Sequence, residues 1–346
     1  MTTPNFFSNR SDCFLIAEIG VNHNDDMILA KKMIDAANES GADAVKFQTF
    51  QAETLVSKGT PKVNYQESTT SPDESHFDMI KSLELSRDNH FLLKEYCDSN
   101  SIQFLSTPYD VESARFLSEE LNVEIFKTAS ADLIDLPLHE YIASSGKPSI
   151  VSVGMATMGE IEQNLNIYHS ANHSDVILLH CVSNYPCADE SLNLRVMETL
   201  EQAFQFPVGY SDHAIGSEAA VLSVGLNAKV IEKHFTLDKN LAGPDHLASS
   251  TPDEFKSLAD SVRRAEQMLG SPVKNCQTEE RQMSAVSRKS IVMKKAAKAG
   301  TVLSPEYLCL KRPGTGLHAS FFQKVSGLRL SVDKNVDEML KITDLQ

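Results

Sequence analysis

The chain has 346 residues, of which 41% are hydrophobic and 23% are charged, and its formal net charge is −15. This length accommodates a (β/α)₈ barrel of about 250 residues together with a smaller module. Acidic residues outnumber Lys and Arg by 47 to 32 and no basic run occurs, which argues against a nucleic-acid partner because a phosphate backbone requires a basic surface.

The cysteines and the N-terminal residues bear on the compartment. Six cysteines are scattered without a C-x-x-C pair, which argues against a disulfide framework and a thiolate zinc site. The segment Met1 to Asp12 lacks the basic-then-apolar pattern of a signal peptide, and no apolar stretch approaches the roughly 18 residues of a membrane span. We therefore expect a soluble cytoplasmic protein with no membrane partner.

Short apolar runs recur along most of the chain and alternate with amphipathic helical stretches. Eight predicted strands are Cys13 to Ile19, Ala44 to Phe47, Ile102 to Leu105, Ile125 to Lys127, Ser149 to Val153, Val176 to Cys181, Val208 to Tyr210, and Val230 to Phe235. This alternation predicts an α/β fold with a parallel sheet, and eight strands favour a TIM barrel. A doubly wound open sheet is the competing architecture, but no nucleotide-binding glycine motif follows any predicted strand.

Two connections carry further signals. The segment between Thr49 and Leu85 is rich in Ser, Thr, Pro and Asp and is too long for an ordinary connection. It leaves the carboxyl end of the second strand, where barrel enzymes place their active sites, so we expect it to border the site. After the eighth strand, Thr251-Pro252-Asp253-Glu254 predicts a capped helix that ends at Gly270.

The pattern of the chain changes after this helix. We predict a barrel domain at 1–270, a polar linker at 271–286, and a small domain at 287–346 with short β-like runs and Gly and Pro turns. A domain this small buries little apolar surface by itself and is expected to dock on the barrel or on a partner subunit. Its Lys311 to Gly316 loop presents the guanidinium of Arg312 either to solvent or to a ligand.

Two histidines end the seventh and eighth predicted strands. His213 closes Gly-Tyr-Ser-Asp-His and His234 closes Val-Ile-Glu-Lys-His. The interval holds a crossover helix, so both imidazoles can emerge side by side at neighbouring strand ends. They are either structural histidines or ligands of a metal, and imidazole with oxygen donors suits Mn²⁺, Fe²⁺, Co²⁺ or Zn²⁺.

Lysines and hydroxyl groups follow other strands. Lys46 and Lys127 lie within otherwise apolar strand ends, and buried lysines require partners. An anionic ligand could supply these partners, or either lysine could pair with Glu18 or Glu232. Hydroxyl groups that suit a phosphate come from Thr107, Ser130 and Ser152. Glu18 ends the first strand and is a candidate general base.

Seven motifs occur in an order that identifies a family. They are Ala-Glu-Ile-Gly-Val-Asn-His at 17–23, Val-Lys-Phe-Gln-Thr at 45–49, Ser-Thr-Pro at 106–108, Gly-Tyr-Ser-Asp-His at 209–213, Glu-Lys-His-Phe-Thr at 232–236, Gly-Pro-Asp-His at 243–246 and Lys-Arg-Pro-Gly at 311–314. Together they resemble the sialic acid synthase family, whose members make N-acetylneuraminate and related nonulosonates such as legionaminate.

The resemblance implies a TIM barrel followed by an antifreeze-like SAF domain, in homodimers whose swapped small domains each cover the partner's active site. The implied reaction condenses phosphoenolpyruvate with the open-chain aldehyde of N-acetylmannosamine or a similar 2-acetamido sugar and releases inorganic phosphate. It also implies a divalent metal, Mn²⁺ first, with Mg²⁺ or Co²⁺ as alternatives.

Roles follow residue by residue from the resemblance. It implies that His213 and His234 bind the metal and that Glu18 positions or deprotonates a water. The implied phosphoenolpyruvate contacts are Lys46, Lys127, Thr107, Ser130, Ser152 and Ser211. The implied sugar contacts are Tyr185, Asp245 and, across the dimer, Arg312. Asp132 stands where many relatives have a sugar-facing glutamate, which leaves the sugar open, a diacetamido hexose that gives a diacetyllegionaminate-type product included.

Three other functions remain at this stage. One is a barrel synthase that joins phosphoenolpyruvate to a phosphorylated aldose, which the SAF-like tail argues against. Another is a Schiff-base aldolase that uses Lys127. The third is a sugar-binding protein without catalytic activity.

Overall fold

The computed structural model describes residues 6–7, 10–71 and 73–346. The chain divides into two compact units, Met1–Gly270 and Ser271–Gln346. Among the described residues, every helix is too short or too polar to cross a membrane.

The first unit is built on eight parallel strands. Their bounds are Phe14–Gly20 (β1), Ala44–Thr49 (β2), Gln103–Pro108 (β3), Phe126–Thr128 (β4), Ser149–Ser152 (β5), Val176–Cys181 (β6), Val208–Asp212 (β7) and Val230–His234 (β8). The order of the strands is β3-β2-β1-β8-β7-β6-β5-β4, every ladder between them is parallel, and contacts between β3 and β4 complete the circle. The predicted TIM barrel is confirmed.

Helices surround these strands. Their bounds are Met27–Glu39 (α1), Ala52–Leu55 (α2), Asn64–Thr69 (α3), His76–Ser82 (α4), Arg87–Ser99 (α5), Val111–Arg115 (α6), Leu136–Ser145 (α7), Met158–Ser170 (α8), Val196–Phe204 (α9), Glu218–Gly225 (α10) and Pro252–Leu269 (α11). The signals read for α11 are confirmed, since the Thr251 side chain caps Glu254 N, Glu254 completes the capping box, and Gly270 ends the helix.

The barrel interior changes character along the strands. Alternation directs Ile16 and Glu18 of β1 to the same side. Ile16 belongs to an interior apolar cluster with Ala44, Leu105, Ile150 and Leu179. Polar side chains follow on the same strands, one alternation step closer to their carboxyl ends. The strands therefore set a closed apolar floor beneath a polar mouth.

The long segment after β2 is partly helical. It contains α2, α3 and α4, and its apolar residues Met79 and Leu83 pack with Val21 and Phe50 in a separate cluster. The sequence pattern did not predict these helices. The segment is rich in Ser and Thr, and each helix is shorter than the window in which helical periodicity can be recognised.

The second unit has its own small core. The strands Ser290–Met293 (β9) and Leu308–Lys311 (β10) pair in antiparallel fashion, and Ile291, Met293, Leu308 and Leu330 form part of a buried cluster. Its helices are Glu280–Ser287 (α12) and Phe322–Val325 (α13). Most of α12 lies in the segment 271–286 that the polar composition predicts as a linker. None of the residues of α12 is buried, which explains why the segment has so weak an apolar pattern.

Candidate active site

A pocket of about 470 Å³ opens at the carboxyl ends of the barrel strands. Two larger cavities, of about 820 and 1240 Å³, contain none of the predicted site residues. The predicted residues that line the 470 Å³ pocket are Glu18, Lys46, Thr107, Lys127, Ser130, Ser152, Tyr185, Ser211, His213, His234 and Asp245. Residues from all eight strands or the loops that follow them thus meet in one place, as expected for a barrel enzyme.

Lys46 lies in a buried network at the end of β2. Its Nζ atom is 2.7 Å from Oε2 of Glu18 and donates a 2.9 Å hydrogen bond to Thr107 Oγ1. Gln48, two residues further along β2, donates a 3.3 Å hydrogen bond to the other carboxylate oxygen of Glu18. The sequence left open whether the partner of Lys46 is a carboxylate or an anionic ligand. The structure provides a carboxylate, that of Glu18, and the ammonium group of Lys46 also lines the pocket.

Lys127 lies on the other side of the pocket and shares a carboxylate with Lys46. Its ammonium donates to Ser152 Oγ at 2.7 Å and to the Thr128 carbonyl at 3.0 Å. Oε2 of Glu232 is 3.5 Å from Lys127 Nζ and 3.8 Å from Lys46 Nζ. Two ammonium groups and two carboxylates therefore form one buried cluster.

The environment separates the proton affinities of the two carboxylates. Burial raises the pKa of Glu18 to about 7, against the opposing effect of Lys46. Burial also disfavours ionisation of Glu232, but Lys127 and Lys46 outweigh it and hold the pKa of that carboxyl below its ordinary range. Burial lowers the pKa of Lys127. Of these two carboxyl groups, Glu18 is therefore the one that can exchange a proton near neutral pH.

Hydroxyl and backbone donors complete the side of the pocket next to Lys127. Ser130 Oγ accepts a 2.9 Å hydrogen bond from Gly154 N and lies 3.1 Å from Cys181 Sγ. A Cβ atom at Gly154 would come within 2.6 Å of Cys181 Sγ and 2.7 Å of Ser183 Oγ. Only glycine fits at position 154, so the backbone there lies close to the small polar side chains of Ser130, Cys181 and Ser183. Such a group of small polar donors suits phosphate oxygens.

The two histidines lie side by side, with ring centroids 5.6 Å apart. His213 Nδ1 is 2.8 Å from the Val182 carbonyl, and since a carbonyl only accepts, Nδ1 carries the proton and Nε2 is the nitrogen with the lone pair, 3.4 Å from Ser211 Oγ. His234 Nδ1 is buried without a hydrogen-bond partner and lies 4.0 Å from Asp245 Oδ2. The ring of Tyr185 packs 4.1 Å from His213 and 5.4 Å from His234, centroid to centroid.

These donors fit a divalent metal. Burial lowers the pKa of His213, and it lowers the pKa of His234 to about 3, so both imidazoles are neutral, as a metal requires. Among the described residues, no group of three or more His, Cys, Asp or Glu side chains is arranged for a metal. A metal held here would thus have two histidine ligands and positions open to substrate and water.

An ion pair lies directly behind the histidines. Lys233 Nζ is 2.7 Å from Asp212 Oδ2, with both side chains buried, and it also donates to the Ala214 carbonyl at 2.7 Å. Asp212 and Lys233 are register partners on β7 and β8. Alternation turns them away from the pocket.

Two predicted residues are not part of this pocket lining. Asp132 lies in a 3₁₀ turn, Ser130–Ile134, where its Oδ2 atom is buried without a hydrogen-bond partner. Burial, and after it Asp135, raises the pKa of Asp132 to about 7. Arg312 belongs to the second unit, where it is exposed in the loop after β10. Their roles toward the sugar remain predictions.

Residues 33–274 match the model of the NeuB family. The chain belongs to this family. The N,N'-diacetyllegionaminic acid synthase of Legionella pneumophila is 45% identical over 93% of this chain and 91% of its own length. The human N-acetylneuraminate-9-phosphate synthase is 38% identical over 86% of this chain and 83% of its own. These relatives confirm the predicted resemblance and the interpretation of the chain as a synthase.

A solved structure agrees with this assignment. The crystal structure of the N-acetylneuraminic acid synthetase from Leptospira borgpetersenii superposes with a TM-score of 0.71 at 36% identity, covering 79% of this chain and 90% of that one. The relatives that this chain resembles are synthases of several different nonulosonates. Membership of the NeuB family therefore defines the class of product but does not identify the acceptor sugar.

Sequence reasoning missed part of the pocket lining. Gln48 and Ser183 were missed because amide and hydroxyl residues are common at strand ends, although Gln48 follows Lys46 and Ser183 precedes Tyr185 at a spacing of two residues. The residues of the insertion that line the pocket are Phe50, Leu55, Val56, Val63, Gln66, His76, Met79, Ile80 and Leu83. The prediction that this segment borders the site is confirmed, but no periodic signal identifies the individual residues.

Proposed function

We propose that the chain condenses phosphoenolpyruvate with the aldehyde of a 2-acetamido sugar, N-acetylmannosamine or a close relative, to give a sialic acid-type nonulosonate and inorganic phosphate. The observation that carries this proposal is the position of Lys46 and Lys127 at one buried carboxylate, Glu232, with hydroxyl groups around them and two neutral histidines beside them. An acidic protein holds a polyanion only where cations are concentrated locally.

The first part of the reaction follows from the two sides of the pocket. The lysines and the hydroxyls of Ser130 and Ser152 hold the carboxylate and the phosphate of phosphoenolpyruvate. Its C3 then points toward the histidines, where the sugar aldehyde lies. The C2–C3 π electrons form the new bond to the aldehyde carbon, and the aldehyde oxygen takes up a proton and becomes a hydroxyl group.

Glu18 acts in the second part. C2 is electron-deficient after carbon–carbon bond formation, and a water adds to it while Glu18 accepts a proton from that water. A pKa near 7, raised by burial, suits a group that must take up and return a proton. The C2 hydroxyl then loses its remaining proton as the C2–O bond to phosphate breaks, which leaves the ketone of the product and inorganic phosphate. Of the two protons of the water, one leaves with the phosphate and the other replaces the proton that the aldehyde oxygen took up.

A divalent metal would be held by His213 and His234, with Mn²⁺ the first choice and Mg²⁺ or Co²⁺ as alternatives. Bound there, it would polarise the aldehyde oxygen as a Lewis acid. Tyr185 packs against both rings and limits their rotation. Asp245 lies next to His234 and faces the sugar side of the pocket, where it can accept hydrogen bonds from hydroxyl groups.

The proposal extends to the assembly. Residues 287–346 form an antifreeze-like SAF domain, and in a homodimer Arg312 of one subunit reaches the sugar in the partner's pocket. The small size of the second unit's core supports this, since a unit of this length gains stability by docking. The cysteines are free thiols, as suits the reducing cytoplasm.

The deciding experiment measures phosphate release from phosphoenolpyruvate with Mn²⁺ and each of several 2-acetamido sugars, with the product mass determined directly. The expected result is sugar-dependent phosphate release and a product that contains the sugar plus three carbons. Release that needs no sugar, or no release with any sugar, would contradict the proposal. A pyruvate adduct on Lys127 after borohydride treatment would favour the aldolase instead.

A further inference from the structure

The loop that follows β8 carries one of the pocket residues away from the strand. This loop, 236–250, includes Asp245, which lines the pocket beside His234. Backbone hydrogen bonds close its base, since Ser250 N donates to the His234 carbonyl at 2.8 Å and Thr236 N donates to the Ser250 carbonyl at 2.9 Å. The backbone therefore fixes His234, whereas Asp245, further along the loop, needs other contacts to keep its place.

Asn22 supplies such a contact from the turn between β1 and α1. Its Nδ2 atom donates to the Phe235 carbonyl and to Ser249 Oγ, both at 2.9 Å. Ser249 Oγ in turn donates to the Asp245 carbonyl at 2.7 Å. A continuous hydrogen-bond path thus runs from Asn22 through Ser249 to the backbone of Asp245.

This path is closed to water. Asn22 is 0% exposed and Ser249 is 2% exposed, so a broken hydrogen bond in the path cannot be replaced by one to solvent. The Oδ1 atom of Asn22 is buried without a hydrogen-bond partner, which costs about 1–3 kcal/mol. An apolar side chain would avoid that cost, so the distinctive contribution of Asn22 is the pair of hydrogen bonds that its amide donates.

The turn that carries Asn22 is a fixed support. Asn22 N donates to the Ile19 carbonyl at 2.9 Å, and Asn24 N donates to the Val21 carbonyl at 3.0 Å. Asn24 also donates from Nδ2 to the Ala242 carbonyl at 2.7 Å, but this hydrogen bond is exposed and water can compete for it. Asn22 therefore attaches the loop to the turn at a buried point.

We infer that Asn22 is a positioning residue that acts on the sugar side of the pocket through Asp245. This inference rests on the proposed function, in which Asp245 contacts the sugar. By holding the backbone of Asp245 through Ser249, Asn22 keeps the carboxylate beside His234. The proposed phosphoenolpyruvate contacts come from β2, β3, β4, β5 and β7 or the residues after them, outside this path.

The kinetic test uses the 2-acetamido sugar that gives the wild type its highest kcat/KM in phosphate release. Asn22→Ala and Ser249→Ala each break the path and should raise the KM for this sugar at least about 10-fold, the effect of one lost buried hydrogen bond. The KM for phosphoenolpyruvate and the affinity for Mn²⁺ should stay within about twofold of the wild type, because their contacts are held independently. The double variant should raise the KM for the sugar no further than the larger single change, since both changes break one path.

A second readout requires no substrate. The amides of Ala248 and Ser249 donate to the carbonyls of Asp245 and His246, both at 3.2 Å. Hydrogen exchange at these amides should be at least about 10-fold faster in Asn22→Ala, while β5 exchanges as in the wild type.

Tyr168→Phe is the matched control. It removes a buried hydroxyl that lies 2.9 Å from His139 Nδ1, outside the pocket lining. It should lower stability by an amount typical of one buried hydrogen bond, about 1 kcal/mol, and leave both KM values unchanged. Should Asn22→Ala fail to fold, Ser249→Ala decides the test.

The outcomes separate this inference from the proposed function. Equal changes in both KM values, additive changes in the double variant, or unchanged exchange of the loop would each overturn the positioning role of Asn22. If the wild type still releases phosphate with sugar, the proposed function survives these results. Absence of release by the wild type with every sugar would overturn the proposed function, and the role of Asn22 in the reaction with it.

Discussion

The ammonium of Lys46 lies 2.7 Å from Oε2 of Glu18, and the two side chains are only 4% and 3% exposed. In the low-dielectric interior each charge depends on the other, because neither can be solvated by water. The same burial leaves the pKa of Glu18 near 7. The ion pair between Lys46 and Glu18 therefore stabilises the fold, while the carboxyl group of Glu18 remains able to exchange a proton.

Removal of Lys46 should destabilise the protein more than removal of both partners. We expect Lys46→Met to lower the free energy of unfolding by about 3–5 kcal/mol, since it strands a buried carboxylate. The double variant Lys46→Met with Glu18→Gln should lose less stability than Lys46→Met alone, and therefore less than the sum of the two single variants. Urea unfolding checks this, with Lys94→Met, which breaks an exposed pair with Asp98, as a control worth less than about 1 kcal/mol. Strict additivity would show that the two residues are not coupled.

The paired histidines should control metal affinity. His213→Ala and His234→Ala are each expected to weaken Mn²⁺ binding at least about 100-fold, measured by calorimetry, and to abolish phosphate release while the circular dichroism spectrum is retained. Removal of metal with a chelator should abolish activity, and Mn²⁺ should restore it.

His139→Gln provides the matched control for this experiment. His139 is also buried, but it lies outside the pocket lining and hydrogen-bonds to Tyr168 and the Asp132 carbonyl. The Mn²⁺ affinity of the His139→Gln variant should therefore equal that of the wild type. Full activity in both alanine variants, or chelator-insensitive turnover, would rule out the metal site.

Arg312 should act across subunits. Arg312→Ala is expected to raise the KM for the sugar with little effect on the KM for phosphoenolpyruvate, because the residue is proposed to contact the sugar alone. Random mixing with Lys127→Met makes half of the dimers hybrid, each with one intact site of two, so about a quarter of wild-type activity should return. Verified hybrid dimers without any recovery would exclude shared sites.

Asp132 should make stability depend on pH. Burial, with Asp135 nearby, raises the pKa of Asp132 to about 7, whereas an unfolded chain releases this proton near pH 4. Between these values the unfolded state has lost a proton that the folded state keeps, so the free energy of unfolding falls as pH rises from about 4 to about 7, then levels off.

The variant Asp132→Asn cannot ionise and should therefore gain stability relative to the wild type, with the gain larger at pH 8 than at pH 5. Thermal unfolding at the two pH values checks this. Asp73→Asn, at an exposed position, is the control and should show similar effects at both. A gain for Asp132→Asn that does not grow with pH would show that its carboxyl group is solvated.

The sequence predicts most of the barrel mouth because each strand supplies its own local information. Glu18 and Lys127 lie at the ends of apolar runs, and alternation by two residues decides which side chains share a face. The eight strands close into a barrel, which then brings these faces together without further specification. Most of what lies within two residues of a strand end is therefore accessible to sequence reasoning, with Gln48 and Ser183 as exceptions.

The remainder depends on contacts that no local pattern encodes. Asp132 follows β4 by only a few residues, but a 3₁₀ turn, Ser130–Ile134, ends the alternation and turns its carboxylate away from the pocket lining. The sequence offers Glu232 as a partner of either lysine, but only the three-dimensional structure shows that this one carboxylate joins the lysines of β2 and β4. His76 lies in an irregular insertion whose position depends on packing against Phe50.

The ion pair between Asp212 and Lys233 has a consequence for whatever binds in front of it. Each of these residues immediately precedes one of the histidines in the chain, and they face each other across β7 and β8. The pair therefore clamps the two backbones at the level of the imidazoles. The conformational entropy of bringing the histidines together is lost when the chain folds, so little of it remains to be lost when a ligand arrives.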